Sequence, residues 1–347
     1  MLVSVTGGTG FLGLHSVAAM VRGGHRVRML VRDPQAAERA LGLLAVDPAA
    51  VDLVVGDVTD EGGAARAVRG ADAVLHAAAV YSFDSRRNAE MRRTNERGTE
   101  LVLAAARRSG ADPVVHVSSI VALLPSAGRP LGEHSPVGRP RDTYMATKAA
   151  AERIARGHQR DGAPVVISYP PALLGPQDPG PGDQNARLRN ALRGLMPIWP
   201  LGGFPVGDVR DTAQLHARLL TAPRAGADRH FGPGRHLSTR QYVRTLREVT
   251  GRRLPAAFLP ARAMLPVGTL ASLLQRGWPW HIPAEYGAVY TCACAAPVDP
   301  AASTGGLTPR PTADTMADTV RWLYGQGKLT ARQAGVLARD EDGPRAR

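Results

Sequence analysis

The sequence predicts an α/β protein, a doubly wound parallel sheet with a smaller, mainly C-terminal substrate-binding lobe. Three observations predict this class. Short apolar segments rich in β-branched residues alternate with alanine-rich helical segments over the first half of the 347 residues. A glycine-rich turn joins the first of these strands to the first helix. After about Pro176 the alternation stops, and the chain becomes rich in glycine and proline.

The alternating segments predict six strands and a series of helices. The predicted strands are Leu2–Thr6, Val27–Val31, Val51–Val55, Ala73–His76, Val114–Ser118 and Val165–Tyr169. The predicted helices are Leu14–Arg22, Gly62–Val68, Thr94–Ser109, an alanine-rich helix from about Tyr144, Ala186–Gly194, Ser238–Thr250 and Thr312–Tyr324. Apart from its helix, the segment 176–204 is expected to be a loop beside the substrate.

These elements predict two domains and a tail. Residues 1–175 are expected to form a nucleotide-binding domain, completed by about 206–236. Residues 176–205 and 237–330 are expected to form the substrate-binding lobe, and 331–347 a flexible tail.

The composition excludes several classes of protein. The net charge is +13, but the cations are scattered and only 5% of residues are aromatic, so we expect no nucleic-acid partner. Leu254–Leu274 is interrupted by prolines and Arg262, so we expect no membrane partner. Two cysteines and a strand that begins at the N-terminus favour a cytoplasmic protein.

The strongest motif follows the first strand and reads Thr6-Gly7-Gly8-Thr9-Gly10-Phe11-Leu12-Gly13. Gly7 permits the tight turn, Gly10 lets the backbone approach a pyrophosphate, and Gly13 lets the helix pack closely on the strand. The N-terminus of the next helix offers amides and positive potential to phosphates. A strand before the motif and a helix after it predict a Rossmann-type dinucleotide site.

The end of the second strand bears on which dinucleotide binds. An NAD site favours a carboxylate there, because it accepts hydrogen bonds from the adenosine ribose. Here the strand ends in Arg32, which fits a 2′-phosphate, and Asp33 lies one residue further along. The sequence therefore favours NADP(H), with NAD(H) as the alternative. A solvated surface arginine is the simpler interpretation of Arg32.

Two further strand ends are expected at the cofactor. Asp57 and Val58 follow the third strand, where a carboxylate can accept a hydrogen bond from the adenine amino group. Ala77, Ala78 and Ala79 follow the fourth strand, and their small side chains let a cofactor lie against the backbone.

Tyr144 and Lys148 are the candidate catalytic pair. A spacing of four places the phenol and the ammonium on one helix face, one turn apart. A phenol with a pKa near ~10 is a poor acid or base at neutral pH, and a neighbouring cation lowers that pKa. The chain has 43 lysines and arginines, of which only Lys148 and Lys328 are lysines, so a lysine at this position is notable.

Two further polar side chains are candidates for catalysis. Ser119 follows the fifth strand, where it can donate to a substrate oxygen as negative charge develops. Ser118 is the competing choice. Asn95 can hold a backbone carbonyl or a proton-relay water, or be an ordinary amide on the helix surface.

The expected substrate lobe contains two segments rich in aromatic residues and proline, Pro197–Pro205 and Trp278–Ile282. Tyr81 and Phe83 are also expected near the substrate. These residues suit a small hydrophobic ketone or aldehyde, or they form the core of the lobe itself.

Two sets of residues in the lobe bear on the charge of the substrate and on metal binding. Arg187, Arg189 and Arg193 keep an anionic substrate open. Cys292 and Cys294 have no further ligands nearby in the sequence, and no metal site is expected.

Together these motifs resemble the extended short-chain dehydrogenase/reductases, or NAD-dependent epimerase/dehydratase family. Further matching segments are Asn95–Thr99, Pro170–Pro176, Asp208–Asp211 and Leu307–Trp322. Arg32, the Pro170-Pro171 pair and the Asp208–Asp211 segment make the chain similar to the dihydroflavonol 4-reductase-like and 3-beta-hydroxysteroid dehydrogenase-like branch.

The resemblance implies a mechanism and a cofactor position. Hydride moves between the nicotinamide and a carbonyl carbon while Tyr144 exchanges the proton, Ser119 holds the oxygen, Lys148 assists the phenol and Asn95 feeds a proton relay. Pro170 and Leu173 would line the nicotinamide carboxamide, and homodimers are common in the family.

The chain departs from the family at two positions, and two other functions stay open. Epimerases of the family carry an asparagine near Pro170-Pro171, and Tyr169 stands where the family usually has arginine. A sugar-nucleotide epimerase or dehydratase is the alternative enzyme. A catalytically silent dinucleotide sensor is the alternative from another class.

Overall fold

The computed structural model describes residues 1–82, 85–126, 128–180, 182–221, 228–266 and 286–339. The nucleotide-binding half contains β1 (Leu2–Thr6), α1 (Phe11–Arg22), β2 (Arg26–Val31), α2 (Pro34–Leu43), β3 (Val51–Val55), α3 (Glu61–Val68), β4 (Ala73–His76), α4 (Asn88–Arg92), α5 (Gly98–Ser109), β5 (Val114–Val117), α6 (Thr143–Arg160) and β6 (Val165–Tyr169). A π-helical turn, Arg93–Arg97, joins α4 to α5.

The rest of the chain builds the second part and returns once to the first. Its elements are β7 (Ala172–Leu174), α7 (Asp183–Leu192), β8 (Ile198–Leu201), β9 (Gly203–Asp208), α8 (Val209–Thr221), β10 (Arg229–Phe231), β11 (Arg235–Ser238), α9 (Thr239–Thr250), β12 (Ala257–Pro260), α10 (Tyr286–Cys294), α11 (Thr312–Gly325) and α12 (Ala331–Ala334).

A seven-stranded parallel sheet organises the first half, in the order β10-β6-β5-β4-β1-β2-β3. The strand order reverses between β1 and β4, and ligands bind at such a switch point, beyond the carboxyl ends of the strands. Helices cover both faces: α1 packs against α8 on one side, and α3, α5 and α6 pack in a row on the other. This confirms the predicted α/β class.

A separate apolar core holds the lobe together. The three-stranded sheet β11-β9-β7 and the pair β12-β8 pack with α7, α9 and α11. Trp199 and Phe204 contact the ring of Tyr242, with ring centroids 5.7 and 5.9 Å apart. Trp199 is therefore part of the lobe core, which is the simpler of the two interpretations of the aromatic segment.

Three sequence predictions need correction. The segment 176–204 is not a loop around one helix, because β8 and the start of β9 follow α7 within it. The helix predicted at Thr94–Ser109 begins within the π-helical turn, and its α-helical part is Gly98–Ser109. The flexible tail is wrong for 331–338, because α12 and a 3-10 turn bury Ala334 and Leu337 in the lobe core.

Candidate active site

The glycine turn after β1 is built by close backbone contacts. Gly7 has a φ of +76°, a conformation that side chains disfavour, and a Cβ there would lie 2.5 Å from the amide nitrogen of Ala78. A Cβ on Gly13 would overlap the carbonyl oxygen of Gly7. Gly10 differs, because its Cβ would meet only that same oxygen, at 3.4 Å. Two glycines therefore serve packing, and Gly10 keeps open the space in front of the helix.

That space lies at the N-terminus of α1, where Gly10 is the N-cap without any side-chain cap. The first amides of a helix have no partner within it, so this end attracts anions. Phe11 and Leu12 line the cavity described below. These residues fit the diphosphate of a dinucleotide, as the sequence predicts.

The carboxylate of Asp33, just beyond the end of β2, already accepts a backbone hydrogen bond. It caps α2, accepting a hydrogen bond from the amide of Ala36 at 3.1 Å. Arg32, beside it, is exposed. Asp33 therefore has a structural role, which leaves Arg32 as the polar group at the end of β2.

Asp57 lies near Arg32, and hydrogen bonds hold its carboxylate in place. Its Oδ1 accepts hydrogen bonds from the amide and the hydroxyl of Thr59, both at 2.8 Å. Burial raises the pKa of Asp57, but these hydrogen bonds and the charges of Arg32 and Arg93 outweigh it, and the net pKa is lowered. Val58 is buried against Gly98. A charged carboxylate thus stands where the adenine contact is predicted.

Tyr144 and Lys148 lie on the first two turns of α6, which begins after Asp142 caps the amide of Met145 at 3.0 Å. Lys148 is buried, and its Nζ donates to the carbonyl oxygen of Val117, at the end of β5, at 2.9 Å. The ring of Tyr144 meets that of Tyr81 edge to face, with centroids 4.4 Å apart. Helix and strand thus hold the pair at the carboxyl edge of the sheet.

The charge of Lys148 is set by its surroundings. Burial lowers the pKa of its ammonium to about 8, and the carboxylate of Glu152, one turn further along α6, opposes this by raising it. Glu152 accepts hydrogen bonds from the hydroxyl of Tyr169 at 2.6 Å and from Arg156 at 2.7 Å. Tyr169, the departure from the family pattern, therefore serves as a hydrogen-bond donor to Glu152, and Arg156 supplies the positive charge.

Both candidate serines border the cavity described below, but they differ in burial and in hydrogen bonding. Ser118 is buried, and among the described residues its Oγ has no hydrogen-bond partner. Ser119 is partly accessible, and its Oγ accepts a long hydrogen bond, 3.4 Å, from the amide of Val121. The accessible hydroxyl of Ser119 is free to donate, so Ser119 stays our prediction for the substrate contact.

Asn95 is fully engaged in holding the structure. Its Oδ1 accepts from the amide of Val80 at 2.7 Å, and its Nδ2 donates to the carbonyl oxygen of Val80 and to the hydroxyl of Thr147, both at 3.0 Å. It ties the loop after β4 to α6, beside Tyr144. Of the roles considered from the sequence, binding of a backbone carbonyl matches these contacts.

Ser118, Ser119, Tyr144 and Lys148 form a polar wall of one cavity of about 330 Å³, which Asn95 does not border. The remaining wall is mostly apolar and includes Phe11, Leu12, Ala77, Ala79, Tyr81, Ile120, Leu124, Met145, Pro170, Pro171, Leu173, Phe204, Pro205 and Cys292. Asp178, Gln184, Asn185 and Arg187 add polar groups from the α7 side.

Several predicted residues lie elsewhere. Arg187 borders the cavity, whereas Arg189 and Arg193 do not. Phe83 and Trp278–Ile282 lie outside the described residues. A larger open cleft, about 660 Å³ between residues 123–136 and 299–302, contains none of the predicted catalytic side chains.

The described part of the chain shows neither a metal cluster nor a spanning helix. No group of three or more histidine, cysteine or carboxylate side chains converges there. Cys292 and Cys294 are free thiols, and burial raises the pKa of Cys292 to about 11. None of the described helices is long and apolar enough to cross a membrane.

The sequence places the segment that contains α7 beside the substrate, but it does not single out α10 as a wall of this cavity. Asn185 donates to the carbonyl oxygen of Gly175 at 2.9 Å and to Asp178 at 3.1 Å, which secures α7 beside the loop after β7. Thr291 and Cys292 come from α10. Polar residues shortly after Pro176 were the available sequence signal for the residues near α7. No local sequence pattern marks Thr291 and Cys292.

Comparisons with known proteins agree with this architecture. Residues 3–232 match the model of the NAD dependent epimerase/dehydratase family. The chain is 29% identical over 335 residues to sterol demethylase protein B of Methylococcus capsulatus, covering 95% of this chain and 100% of that protein. The crystal structure of gox2253 superposes with a TM-score of 0.75 and 26% identity, covering 95% of this chain and 99% of that one.

Other relatives are named for reactions at carbonyl or hydroxyl groups. The 4-hydroxy-2-methyl-3-oxo-4-farnesyl-3,4-dihydroquinoline-1-oxide ketoreductase of Stigmatella aurantiaca is 33% identical over 283 residues, covering 80% of this chain and 81% of that protein. The 3 beta-hydroxysteroid dehydrogenase/Delta 5-->4-isomerase of Mycobacterium tuberculosis is 32% identical over 186 residues, covering 51% and 48%. The chain belongs to the NAD dependent epimerase/dehydratase family of extended short-chain dehydrogenase/reductases, in its dihydroflavonol 4-reductase-like and 3-beta-hydroxysteroid dehydrogenase-like branch.

Proposed function

We propose that this oxidoreductase reduces a hydrophobic ketone or aldehyde with NADPH, or oxidises the corresponding secondary alcohol, with Tyr144 as the general acid or base. The observation that carries the proposal is the shared cavity. Tyr144, Lys148 and Ser119 border it, and its other walls are mostly apolar. Pro170 and Pro171 also border it, and they offer no side-chain donor near the position where epimerases of the family carry an asparagine.

The residues present fit a nicotinamide dinucleotide. The open space beside Gly10 and the uncapped N-terminus of α1 suit the diphosphate. Arg32 and Asp57 would hold the adenosine end, and Ala77, Ala78, Ala79, Lys148, Pro170 and Leu173 would hold the nicotinamide end. The bound cofactor supplies or accepts the hydride.

The side chains of this chain then handle the oxygen and its proton. Tyr144 donates its phenolic proton to the carbonyl oxygen as negative charge develops there. The hydroxyl of Ser119 donates a hydrogen bond to the same oxygen. The ammonium of Lys148, one helical turn from Tyr144, stabilises the phenolate left behind. Asn95 contributes by fixing the loop after β4 against α6.

The names of three relatives support a hydrophobic substrate. A ketoreductase acting on a farnesyl quinoline, a sterol demethylase protein and a hydroxysteroid dehydrogenase are all named for lipophilic compounds. We propose the same class here, with Arg187 as the one cation on the α7 side among the described residues that border the cavity.

Paired titrations with NADPH and NADH test the cofactor part. We expect NADPH to bind more tightly, and Arg32→Ala to weaken NADPH by about 10- to 100-fold because a charge-assisted contact is lost. NADH affinity should stay within about twofold. Equal losses for both cofactors would remove the basis for the NADPH preference.

Consumption of NADPH with a panel of aromatic and polycyclic ketones tests the substrate part. UDP- and dTDP-sugars are incubated with the protein and NAD⁺, and the sugar nucleotides are then separated by chromatography to test the epimerase alternative, because an epimerase or dehydratase regenerates its cofactor in each turnover. Turnover of sugars without turnover of ketones would establish that alternative. Cofactor binding with no turnover of either class would favour a dinucleotide sensor.

A further inference from the structure

We propose that the outer face of the β8–β12 pair, with the turn before β8, docks on the surface of an anionic lipid bilayer. This proposal goes beyond the reductase function and departs from the expectation that the protein has no membrane partner. It concerns contact with the surface of the bilayer and requires no spanning segment.

Large aliphatic side chains are exposed on this face and in the turn before it. Leu195, in the turn, is 62% exposed, and Ile198 and Leu259, on the strands, are 50% and 45% exposed. β8 and β12 pair in parallel, with Ile198 opposite Ala257 and Pro200 opposite Leu259, so these four side chains share one face of the pair. Trp199 points the other way, into the lobe core.

The charge around these residues has one sign. Arg193, Arg253 and Arg262 are exposed and lie within a few residues of the patch along the chain. The segments 186–207 and 235–266 contain a single acidic residue, Glu248. Exposed aliphatic side chains with arginines near them in the chain are a pattern that binds the interface of an anionic membrane.

Other occupants fit this face less well. A second copy of the chain would place arginines against arginines across a two-fold axis, which is repulsive. Single-stranded nucleic acid binds by stacking on exposed aromatic rings, whereas the exposed apolar residues here are aliphatic. Acyl chains accept aliphatic side chains without any directional requirement.

Co-sedimentation of the full chain with lipid vesicles tests the proposal without cofactor or substrate, so its failure is separate from failure of the reductase function. We expect binding to vesicles of mixed phosphatidylcholine and phosphatidylglycerol, and much weaker binding to phosphatidylcholine alone. The double variant Ile198→Asp, Leu259→Asp should lose binding. Each of Arg253→Glu and Arg262→Glu should weaken it by about fivefold or more.

Matched control variants lie in the other half of the molecule. Leu43→Asp replaces an exposed leucine on α2, and Arg39→Glu replaces an exposed arginine on the same helix. Both should bind vesicles as the unmodified protein does, and unchanged thermal unfolding verifies that each variant is folded. Equal losses in the control variants would overturn the proposal, because binding would then follow net charge alone.

Sedimentation velocity provides a second outcome that would overturn the proposal. A dimer that the Ile198→Asp, Leu259→Asp variant converts to a monomer would make this face a contact between copies of the chain. Failure to bind anionic vesicles would overturn it as well.

Discussion

Two buried tyrosines, one in each half of the molecule, have hydroxyl groups in different surroundings. Beneath the large sheet, the hydroxyl of Tyr169 donates to Glu152 at 2.6 Å, and His216 lies between the hydroxyls of Ser16 and Ser168 at 2.9 and 3.0 Å. In the lobe, the hydroxyl of Tyr242 is buried, and no partner for it is found in the described part of the chain.

The contacts around Lys148 and around Tyr242 indicate different tasks for these two regions. Hydrogen bonds fix side chains in direction as well as position, so the sheet half holds Lys148 and Tyr144 in one geometry. Apolar packing tolerates changes of shape as long as volume is kept, so the lobe can vary to suit a substrate. We therefore infer that the sheet half performs the chemistry and the lobe selects the substrate.

The largest expected effect is the loss of catalysis in a Tyr144 variant. Comparison with an Arg187 variant separates catalysis from substrate selection. Tyr144→Phe should lower kcat by about 10²- to 10⁴-fold, because it removes the acid. NADPH affinity measured by titration should change little. Arg187→Gln, on the lobe side of the cavity, should change KM and substrate preference with kcat largely retained. The reverse pattern would break the proposed division of tasks.

The glycine turn offers a test of backbone packing within the sheet half. Gly13→Ala should lower the free energy of unfolding by about 1–3 kcal/mol, because its Cβ overlaps the Gly7 carbonyl oxygen. Gly10→Ala should cost less than about 1 kcal/mol but weaken dinucleotide binding. Denaturant unfolding and NADPH titration of the two variants measure both effects. Equal effects of the two substitutions on unfolding would refute the assignment of separate roles.

A pair of tyrosines sharpens the comparison of the two cores. Tyr169→Phe should lower the free energy of unfolding by about 1–3 kcal/mol, because the buried carboxylate of Glu152 loses a donor. Tyr242→Phe should be neutral or slightly stabilising, because a buried hydroxyl without a described partner is removed. Urea unfolding of both variants measures the difference. A larger loss for Tyr242→Phe would show that the lobe hydroxyl is partnered.

The smallest expected effect is a shift in pH dependence. The pKa of Lys148 is about 8, and Glu152 raises it, so Lys148 loses its charge as the pH rises through that value. Glu152→Gln removes the charge that raises this pKa, which therefore falls. The alkaline limb of kcat/KM for carbonyl reduction should move to lower pH. An unchanged limb would show that Glu152 only supports the structure.

The sheet half could be predicted largely from the sequence. The six predicted strands agree with the structure within one residue at each end, because buried parallel strands are short apolar runs separated by turns. The seventh strand of the sheet, β10, was not predicted. Helix α2 was missed, although Asp33 followed by Pro34 is a recognisable start signal. The motif residues come together at the carboxyl edge because the family topology requires it.

The lobe could not be predicted in the same way. Pro200 and Pro205 lie within β8 and β9, and proline inside a segment argues against a strand. The wall from α10 joins the cavity only through tertiary packing, which leaves no local pattern. The role of Tyr169 also depends on Glu152 and Arg156, which lie on a different element.

The central claim is that the cavity around Tyr144 transfers hydride to a hydrophobic carbonyl compound. NADPH carrying deuterium at the transferable position of the nicotinamide, incubated with the protein and a panel of polycyclic ketones, tests it most directly. The account predicts deuterium on the carbinol carbon of the product, detected by mass spectrometry, and its loss in Tyr144→Phe. Tight NADPH binding without label in any alcohol, or equal labelling by Tyr144→Phe, would contradict the account.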